Sequence, residues 1–333
     1  MPRLRRSDCS APGYRRIRRG RGFVYVDAHG DRLESQEALE RIAQLAIPPA
    51  WRDVWVCLDP LGHLQATGID GAGRKQYIYH ELWRARRDRA KFDTMLEFGE
   101  SLPVLRKRIR RDLRGEELDR EKVLACAARL LDVGFFRVGS ESYAEDNSSY
   151  GLATLLKKHA SVSNGAVLFD YPAKSGQRRV QAIVDPTVRA VLIDLKRRRG
   201  GGPELLAYRD GRRWRDVRSD DINGYLKETI GGDYSAKDFR TWNATVLAAV
   251  RIAIHGPELG PKRAISATVA DVAEYLGNTP AVCRNSYIDP RVFDRFRSGW
   301  TIADSLPLRN GGPDIAKDRV RRTVELAVLD LLS

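Results

Sequence analysis

Basic side chains in unusual local settings, followed by a tyrosine near the C-terminus, are the residues of this chain best suited to chemistry. They are Arg137 in GFFRVG, Lys174 in YPAKSG, Lys237 and Arg240 in KDFRTW, and Tyr287 in RNSYIDP. Arginine suits phosphate because its planar fork donates two parallel hydrogen bonds. Taken singly, these residues also have structural interpretations: Arg137 could pair a carboxylate, Arg240 could anchor a helix, and most tyrosines are packing residues.

Other types of active site are not indicated. The sequence contains no nucleotide-binding glycine fingerprint, no H-E-x-x-H motif and no dense acidic cluster, and its five histidines are scattered. Nucleases that need two metal ions are therefore disfavoured, and neither a metal nor a cofactor is expected. The four cysteines lie far apart without C-x-x-C spacing, so they predict neither a zinc site nor a disulfide framework.

The charge of the chain indicates a polyanionic partner. Lys and Arg number 58 against 44 Asp and Glu, which gives a formal net charge of +14. Basicity alone also fits a ribosomal, RNA-binding or membrane-surface protein, and nucleic acid is favoured among these. No apolar run approaches the roughly 20 residues that span a bilayer, and the Arg-rich start lacks the apolar segment of a signal peptide. We therefore expect no membrane association and a cytoplasmic location.

The elements before residue 80 have the pattern of a small antiparallel β module with one inserted helix. Ser35 is expected to cap a helix whose apolar stripe is Leu39, Ile42 and Ala46, and which ends at Pro48. Turn sequences separate the strands, and one of them is DPLG at 59–62. The strand signals lie at 23–26, 53–58, 64–68 and 76–80.

From about Glu81 the pattern becomes helical and strongly basic, so a domain boundary is expected near residues 80–95. Asn164-Gly165 is a type I′ hairpin signal, and with the tight turn at 175–176 it brackets a strand at 166–174. The Arg-rich stretch at 197–202 is interpreted as a solvated loop. Helix starts are indicated at Asp185-Pro186, at Ser235 with Asp238 three residues later, and at Gly260-Pro261.

Several of these motifs, in order, resemble the poxvirus and bacterial branch of the type IB DNA topoisomerases, relatives of the tyrosine recombinases. The family separates a catalytic Arg and Lys by 37 residues, and here 174 minus 137 is 37. It places a hydrogen-bonding His or Asn nine residues before the nucleophile, and Asn278 lies nine before Tyr287. The resemblance covers nearly the whole chain. It includes IPPAW at 47–51, QATG at 65–68, GRKQYIYH at 73–80, KDFRTW at 237–242 and LGNTP at 276–280.

The resemblance implies that Tyr287 attacks phosphorus, giving a 3′-phosphotyrosyl enzyme and a free 5′-hydroxyl. Arg137 and Arg240 would stabilise the charge that develops on the two non-bridging oxygens. Asn278 would donate a further hydrogen bond to them. Many relatives have histidine at this position, and because asparagine carries no proton charge, its presence favours hydrogen bonding over acid catalysis.

The 5′-alkoxide leaving group has a high intrinsic pKa and needs a proton as it departs. Lys174, at a hairpin tip, is the candidate acid, because like-charge repulsion from neighbouring arginines would favour release of its proton. A lysine that matches Lys237 also contributes to the acid relay in the family. The ester exchange conserves the bond energy, so neither ATP nor metal would be needed for resealing.

Residues of the β module are candidates for DNA contact. Tyr77 and Tyr79 alternate onto one face of a strand, and Gln76 is suited to reading a base edge. Cross-strand aromatic packing is the alternative for the two tyrosines. The basic helical run 84–91 is expected to touch phosphates, with a solvated face as its alternative. The candidate DNA-contact set is Gln65, Arg74, Lys75, Gln76, Tyr77 and Tyr79.

Together these features predict an α+β protein with a small N-terminal antiparallel β-sheet domain at 1–90. A larger, mainly α catalytic domain with a short β-hairpin or sheet would occupy 91–333. We expect a monomer that closes as a clamp around double-stranded DNA in the nucleoid. A tyrosine recombinase or integrase is the nearest alternative, and a DNA-binding protein without catalysis is the alternative from another class. Lys237-x-x-Arg240 and the β-rich start favour the topoisomerase.

Overall fold

The computed structural model describes residues 2–139, 141, 148–256, 258–306 and 317–333. The chain forms two compact units, Met1–Asp93 and Thr94–Ser333, and the division falls within one long helix, α2 (Glu81–Asp112). Among the described residues no helix is both long enough and apolar enough to cross a membrane. The predicted α+β class is confirmed, because an antiparallel sheet is followed by a mostly helical region that contains small sheets.

The first unit is a five-stranded antiparallel sheet with the strand order β2-β1-β3-β4-β5. Its small core consists of Ile42 from the helix and Val54, Val56 and Ala66 from the central strands. Alternating side chains of β3 and β4 reach this core because successive residues of a strand point to opposite faces. The strands are β1 (Tyr14–Arg19), β2 (Gly22–Val26), β3 (Arg52–Val56), β4 (Leu64–Ile69) and β5 (Lys75–Tyr79).

The inserted helix, α1 (Gln36–Gln44), begins where the sequence predicts. The Ser35 hydroxyl accepts a hydrogen bond from the backbone N–H of Ala38 at 3.3 Å. The predicted end was wrong, because the helix stops at Gln44 instead of continuing to the two prolines. Ala46 has a left-handed φ of 49° and is exposed, so it is not part of the apolar stripe.

The second unit is mainly helical. Helix α6 (Ala236–His255), which has more buried residues than any other described helix, carries Arg240, Thr241 and Trp242 in its first two turns, all of them buried. The packing of α6 against α3 and α7 forms the centre of the core. The helices after α2 are α3 (Arg120–Val133), α4 (Pro186–Arg197), α5 (Ser219–Ile230), α6 (Ala236–His255), α7 (Pro261–Leu276), α8 (Pro280–Ser286), α9 (Arg291–Arg297) and α10 (Asp318–Leu332).

A three-stranded antiparallel sheet, β6 (Ala160–Ser163), β7 (Ala166–Pro172) and β8 (Arg178–Ile183), lies within this unit. The predicted type I′ hairpin is confirmed, since Asn164 and Gly165 both have positive φ, 47° and 81°. The β7–β8 connection contains a short 3-10 turn at Lys174–Gly176, so β7 ends two residues earlier than predicted.

The interpretation of residues 197–202 as a solvated loop was wrong for Arg198. This side chain is buried, and its guanidinium donates to the backbone carbonyls of Leu195 and Leu205, both at 2.9 Å. Its guanidinium carbon also lies 5.6 Å from the ring centre of Trp214, a residue of β10 (Arg213–Asp216), which pairs with β9 (Ala207–Asp210). An arginine in a low-complexity stretch therefore fixes the loop from inside.

Candidate active site

A cavity of about 340 Å³ in the second unit brings together most of the residues predicted to be catalytic. Its lining includes Arg137, Lys174, Lys237, Arg240 and Tyr287. These five residues come from four separate elements that span 150 positions of the chain, since 287 minus 137 is 150. Their convergence is a property of the fold and not of local sequence.

Arg137 lies in a segment without helix or strand that follows α3, and main-chain contacts hold this segment in place. The backbone N–H of Leu152 donates to the carbonyl of Arg137 at 2.8 Å. Gly139 and Gly151 approach so closely that a Cβ on Gly151 would lie 2.4 Å from the Cα of Gly139. Any larger residue at 151 would therefore displace the segment that carries Arg137.

Arg240 and Lys237 are placed by the start of α6. The backbone N–H of Ser235 donates to the carboxylate of Asp238 at 2.7 Å, which satisfies one of the free donors at the helix N-terminus. Lys237 and Arg240 are three residues apart, so they lie on one face of the helix and both reach the cavity. The Arg240 guanidinium is buried and donates to the carbonyls of Phe135 and Leu276.

The C-terminal turn of α7 contacts three arginines. Arg179 donates to the carbonyls of Glu274, at 3.1 Å, and Tyr275. Arg240 donates to the carbonyl of Leu276 at 2.9 Å, and Arg137 to that of Gly277 at 3.0 Å. The last carbonyls of a helix lack intrahelical donors and carry partial negative charge, so guanidinium groups are suitable partners. We call residues 274–277, whose four carbonyls accept these bonds, the carbonyl turn.

Asn278 follows the carbonyl turn directly. Gly277 adopts the left-handed conformation (φ 61°, ψ 51°) that reverses the chain at this point and that glycine adopts without strain. The Oδ1 of Asn278 accepts a hydrogen bond from Arg137. Its Nδ2 is buried without a partner of good geometry among the described residues, although it is close enough to Tyr287 to favour the phenolate. The amide of Asn278 thus contacts Arg137 and lies near Tyr287.

Tyr287 lies at the C-terminal end of α8, where its N–H donates to the carbonyl of Cys283 at 3.0 Å. A residue that the sequence does not single out also holds this turn. The buried Thr245 hydroxyl of α6 donates to the carbonyl of Tyr287 at 3.3 Å and accepts from the N–H of Asp289 at 3.1 Å. Thr245 thereby connects the helix that carries Arg240 to the backbone of the proposed nucleophile.

The electrostatics of the cavity favour ionisation of Tyr287. Burial by itself would raise the pKa of its hydroxyl, but the charges of Arg240 and Arg137 outweigh burial and hold that pKa below its ordinary value. The guanidinium carbon of Arg240 lies 5.3 Å from the Tyr287 ring centre. Burial, together with repulsion from Arg137, lowers the pKa of Arg240 to about 10, so Arg240 stays charged at neutral pH.

Lys174 is exposed and lines the same cavity from the 3-10 turn between β7 and β8. This placement agrees with the prediction of a lysine at a hairpin tip. The structure therefore brings together Arg137, Lys174, Lys237, Arg240 and Tyr287, with Asn278 bound to Arg137. Sequence reasoning missed Arg179 and Thr245, because both act on backbone carbonyls, which leave no residue pattern.

The predicted DNA-contact residues of the first unit separate into two groups. Tyr77 and Tyr79 lie on one face of β5 with their ring centres 6.1 Å apart and stacked, and Lys75 lies 5.8 Å from the centre of the Tyr77 ring. Arg74 and Gln76 are instead held by the carboxylate of Asp70, which accepts from them at 3.0 and 2.8 Å. Tyr77 is 47% exposed, and the Arg74 side chain is exposed as well despite its ion pair.

The position of Gln65 does not support the predicted DNA contact. It is 3% exposed, and its Nε2 donates to the carbonyls of Asp59, Pro60 and Gly62, at 2.7 Å in the case of Gly62. Its Oε1 accepts from Arg41 at 2.6 Å. A side chain with these contacts stabilises the 59–62 turn and has no free group for a base.

The fold and the site define a class of enzyme that acts on phosphodiesters through a tyrosine surrounded by cations. Residues 80–297 match the family model described as eukaryotic DNA topoisomerase I, catalytic core, and residues 22–70 match that of the bacterial DNA topoisomerase IB N-terminal domain. The chain belongs to the type IB DNA topoisomerases. The predicted family is thereby confirmed.

Two viral relatives show how far the similarity extends. The chain is 32% identical to DNA topoisomerase 1B of Acanthamoeba polyphaga mimivirus over 288 residues, which cover 83% of this chain and 85% of that protein. It is 22% identical to DNA topoisomerase 1B of vaccinia virus over 269 residues, which cover 78% of this chain and 82% of that protein.

Proposed function

We propose that this protein relaxes supercoiled duplex DNA by cutting one strand through a transient 3′-phosphotyrosyl bond at Tyr287 and then resealing it. The observation that carries the proposal is the convergence of Arg137, Lys174 and Arg240 with Tyr287 on one cavity, in a chain of the type IB family. Enzymes of this type need neither ATP nor a metal ion, because the broken phosphodiester is conserved as a tyrosyl ester.

In the cleavage step, Tyr287 loses its phenolic proton to solvent, and its oxygen forms a bond to phosphorus as the bond to the 5′-oxygen breaks. The transition state carries extra charge on the two non-bridging oxygens. Arg137 and Arg240 supply fixed cations for that charge, and the Nδ2 of Asn278 supplies a neutral donor. The same cations promote ionisation of the phenol, so one arrangement serves both nucleophile and transition state.

The departing 5′-oxygen takes a proton from Lys174, and Lys237 is the second member of the relay. Both lysines line the cavity, and neither belongs to the carbonyl turn that holds the arginines. Resealing reverses the step: the 5′-hydroxyl returns its proton, attacks the phosphotyrosyl bond and releases Tyr287. Between the two steps the broken strand rotates about the intact one, which relaxes supercoils of either sign.

The remaining elements of the proposal concern how DNA is held. We infer a monomer that uses Lys75, Tyr77 and Tyr79 of the first unit on the DNA surface and closes as a clamp, in a cytoplasmic location on the nucleoid. The stacked, partly exposed tyrosines beside Lys75 support this use of β5. The match of the first unit to a bacterial domain model supports a bacterial member of the branch and favours a topoisomerase over a recombinase.

The test is relaxation of supercoiled plasmid in excess EDTA without ATP, with denaturant added to trap protein-linked DNA. The native chain should relax the plasmid and yield a covalent adduct, and Tyr287→Phe should yield neither while still binding DNA. Tyr208→Phe, in β9 and outside the cavity, is the matched control and should behave as native. Absence of relaxation by the native chain, or undiminished relaxation by Tyr287→Phe, would overturn the proposal.

A further inference from the structure

Arg179 is the one member of the three arginines at the carbonyl turn that does not line the cavity. We propose that Arg179 is a positioning residue for strand cleavage, which acts through the carbonyl turn on Arg137, Arg240 and Asn278. The proposal rests on the proposed function, since it concerns the cations that would act on the scissile phosphate.

The side chains of Arg179 and its neighbour Arg178 point to opposite faces of β8. Arg179 pairs with Tyr171 across β7 and β8, and its side chain is half-buried. Arg178 points to the other face, as successive strand residues do, where it is exposed and forms an ion pair with Asp170. The chain therefore contains two adjacent arginines of equal charge, only one of which reaches the carbonyl turn.

The contacts of Arg179 explain how it acts at a distance. Its two terminal nitrogens donate to the carbonyls of Glu274 and Tyr275, so each of these nitrogens has a partner within the protein itself. The next two carbonyls, those of Leu276 and Gly277, hold Arg240 and Arg137. Displacement of the turn would thus displace both catalytic arginines together with Asn278, the residue that follows it.

The positive charges of Arg137, Arg179 and Arg240 do not by themselves account for the close placement of these side chains. Burial of Arg179 lowers the pKa of its guanidinium, and Arg137 lowers it further, against the opposing effect of Tyr171. Three cations placed together repel one another, and the carbonyl dipoles of the turn offset that repulsion without cancelling the charges. The bidentate fork of arginine spans two successive carbonyls, which a lysine ammonium does not match in geometry.

The test is single-turnover cleavage of a DNA duplex at saturating enzyme, with Arg179→Ala compared with Arg178→Ala. We expect Arg179→Ala to cleave about 10- to 100-fold more slowly, as small displacements of catalytic groups do, and Arg178→Ala to stay within a few-fold of native. The two variants lose the same charge, so DNA affinity should change equally in both. Equal cleavage rates of the two variants would overturn the proposal.

Two further measurements separate positioning from charge and from loss of fold. Arg179→Lys keeps the charge but not the fork, so it should remain slow, and full recovery by lysine would contradict positioning. Displaced arginines would no longer promote ionisation of Tyr287, so the pH midpoint of cleavage should move upward in Arg179→Ala. A slow variant with an unchanged midpoint would indicate only loss of folded protein.

Amide hydrogen exchange gives a readout that does not depend on cleavage. Without DNA, the amides of residues 274–278 should exchange faster in Arg179→Ala than in Arg178→Ala. Unchanged exchange would overturn the proposal even if the native chain proved inactive. Faster exchange in a chain that cuts no DNA would support the positioning contact while refuting the proposed function.

Discussion

Two groups of arginines in the second unit differ in the partners that hold them. In the first group, the buried Arg106 of α2 donates to the carboxylates of Asp132 and Glu325 at distances between 2.6 and 3.2 Å. Arg129 of α3 shares Asp132 at 2.9 Å and also contacts Asp185. These ion pairs join α2, α3 and α10, so their role is to connect helices.

In the second group, Arg137, Arg179 and Arg240 are held by uncharged backbone carbonyls. Within the described ranges of the chain, none of the three forms an ion pair with a carboxylate. A carbonyl dipole restrains a guanidinium but does not neutralise it. The positive charge therefore remains available to a phosphate.

The pKa shifts show the same contrast. Burial would lower the pKa of Arg106, but Asp132 and Glu325 more than compensate, and the net shift is upward. Burial and Arg137 lower the pKa of Arg240 to about 10. The partner of a buried arginine, more than its burial, therefore distinguishes a structural residue from one reserved for a ligand.

Substitution in the second group should have its greatest effect on the rate of DNA cleavage. Arg240→Ala should reduce single-turnover cleavage by at least about 10²- to 10³-fold, the usual loss for a fixed donor to transition-state charge. The measurement is the rate of covalent adduct formation at saturating enzyme. Its control is Arg251→Ala on the same helix, which faces Asp271 at 3.4 Å and is absent from the cavity. Equal losses in the two variants would show that the carbonyl-held arginines have no special role in cleavage.

The next effect is on stability in the first group. Arg106→Met should lower the free energy of unfolding by about 3–5 kcal/mol, because Glu325 and one face of Asp132 would be left buried without a cation. The folded fraction should cleave DNA at the native rate. Denaturant unfolding measures this free energy, and Arg110→Met, a substitution at an exposed arginine, is the control. A native-like unfolding midpoint in Arg106→Met would show that the network does not stabilise the fold.

Much of the local structure followed from the sequence because its signals are local. Ser35 caps α1 and Asp185 caps α4, and the Asn164-Gly165 turn has the backbone angles its residues favour. The candidate catalytic residues could be named because their types and spacing match those of a known family, and five of them line one cavity. Strand β1 was not predicted, because its YRRIRR sequence shows no alternation of apolar and polar residues.

Tertiary contacts with the backbone could not be predicted. Arg179 and Thr245 contact carbonyls at the ends of α7 and α8, and every residue of any sequence carries a carbonyl. Gln65, in the QATG segment of the family resemblance, was a candidate for DNA contact, but carbonyls of a tight turn and Arg41 satisfy its amide inside the fold. The polarity of a residue type does not reveal which buried partners are available to it.

The pH dependence of cleavage measures how much charge the carbonyl-held arginines retain. The phenol of Tyr287 loses its proton as pH rises, and Arg240 and Arg137 move this transition to lower pH. Arg137→Gln should therefore shift the pH midpoint of cleavage upward as well as reduce the rate. Arg178→Gln, an exposed residue in an ion pair, should leave the midpoint unchanged. A downward shift in Arg137→Gln would contradict the claim that Arg137 lowers the pKa of Tyr287.

The smallest effect is expected on DNA affinity in the first unit, where a carboxylate holds a predicted DNA contact. Asp70 forms an ion pair with Arg74 at 2.9 Å and accepts a hydrogen bond from Gln76, so it compensates a charge on the surface proposed to face DNA. Exposed pairs contribute about 1 kcal/mol or less. Asp70→Asn should therefore tighten DNA binding by no more than about fivefold and steepen the salt dependence by about one ion. Binding isotherms at several salt concentrations measure both quantities. The control is Asp31→Asn, which makes the same charge change in an exposed turn beyond β2. If Asp31→Asn tightened DNA binding equally, the cause would be net charge and not the release of Arg74.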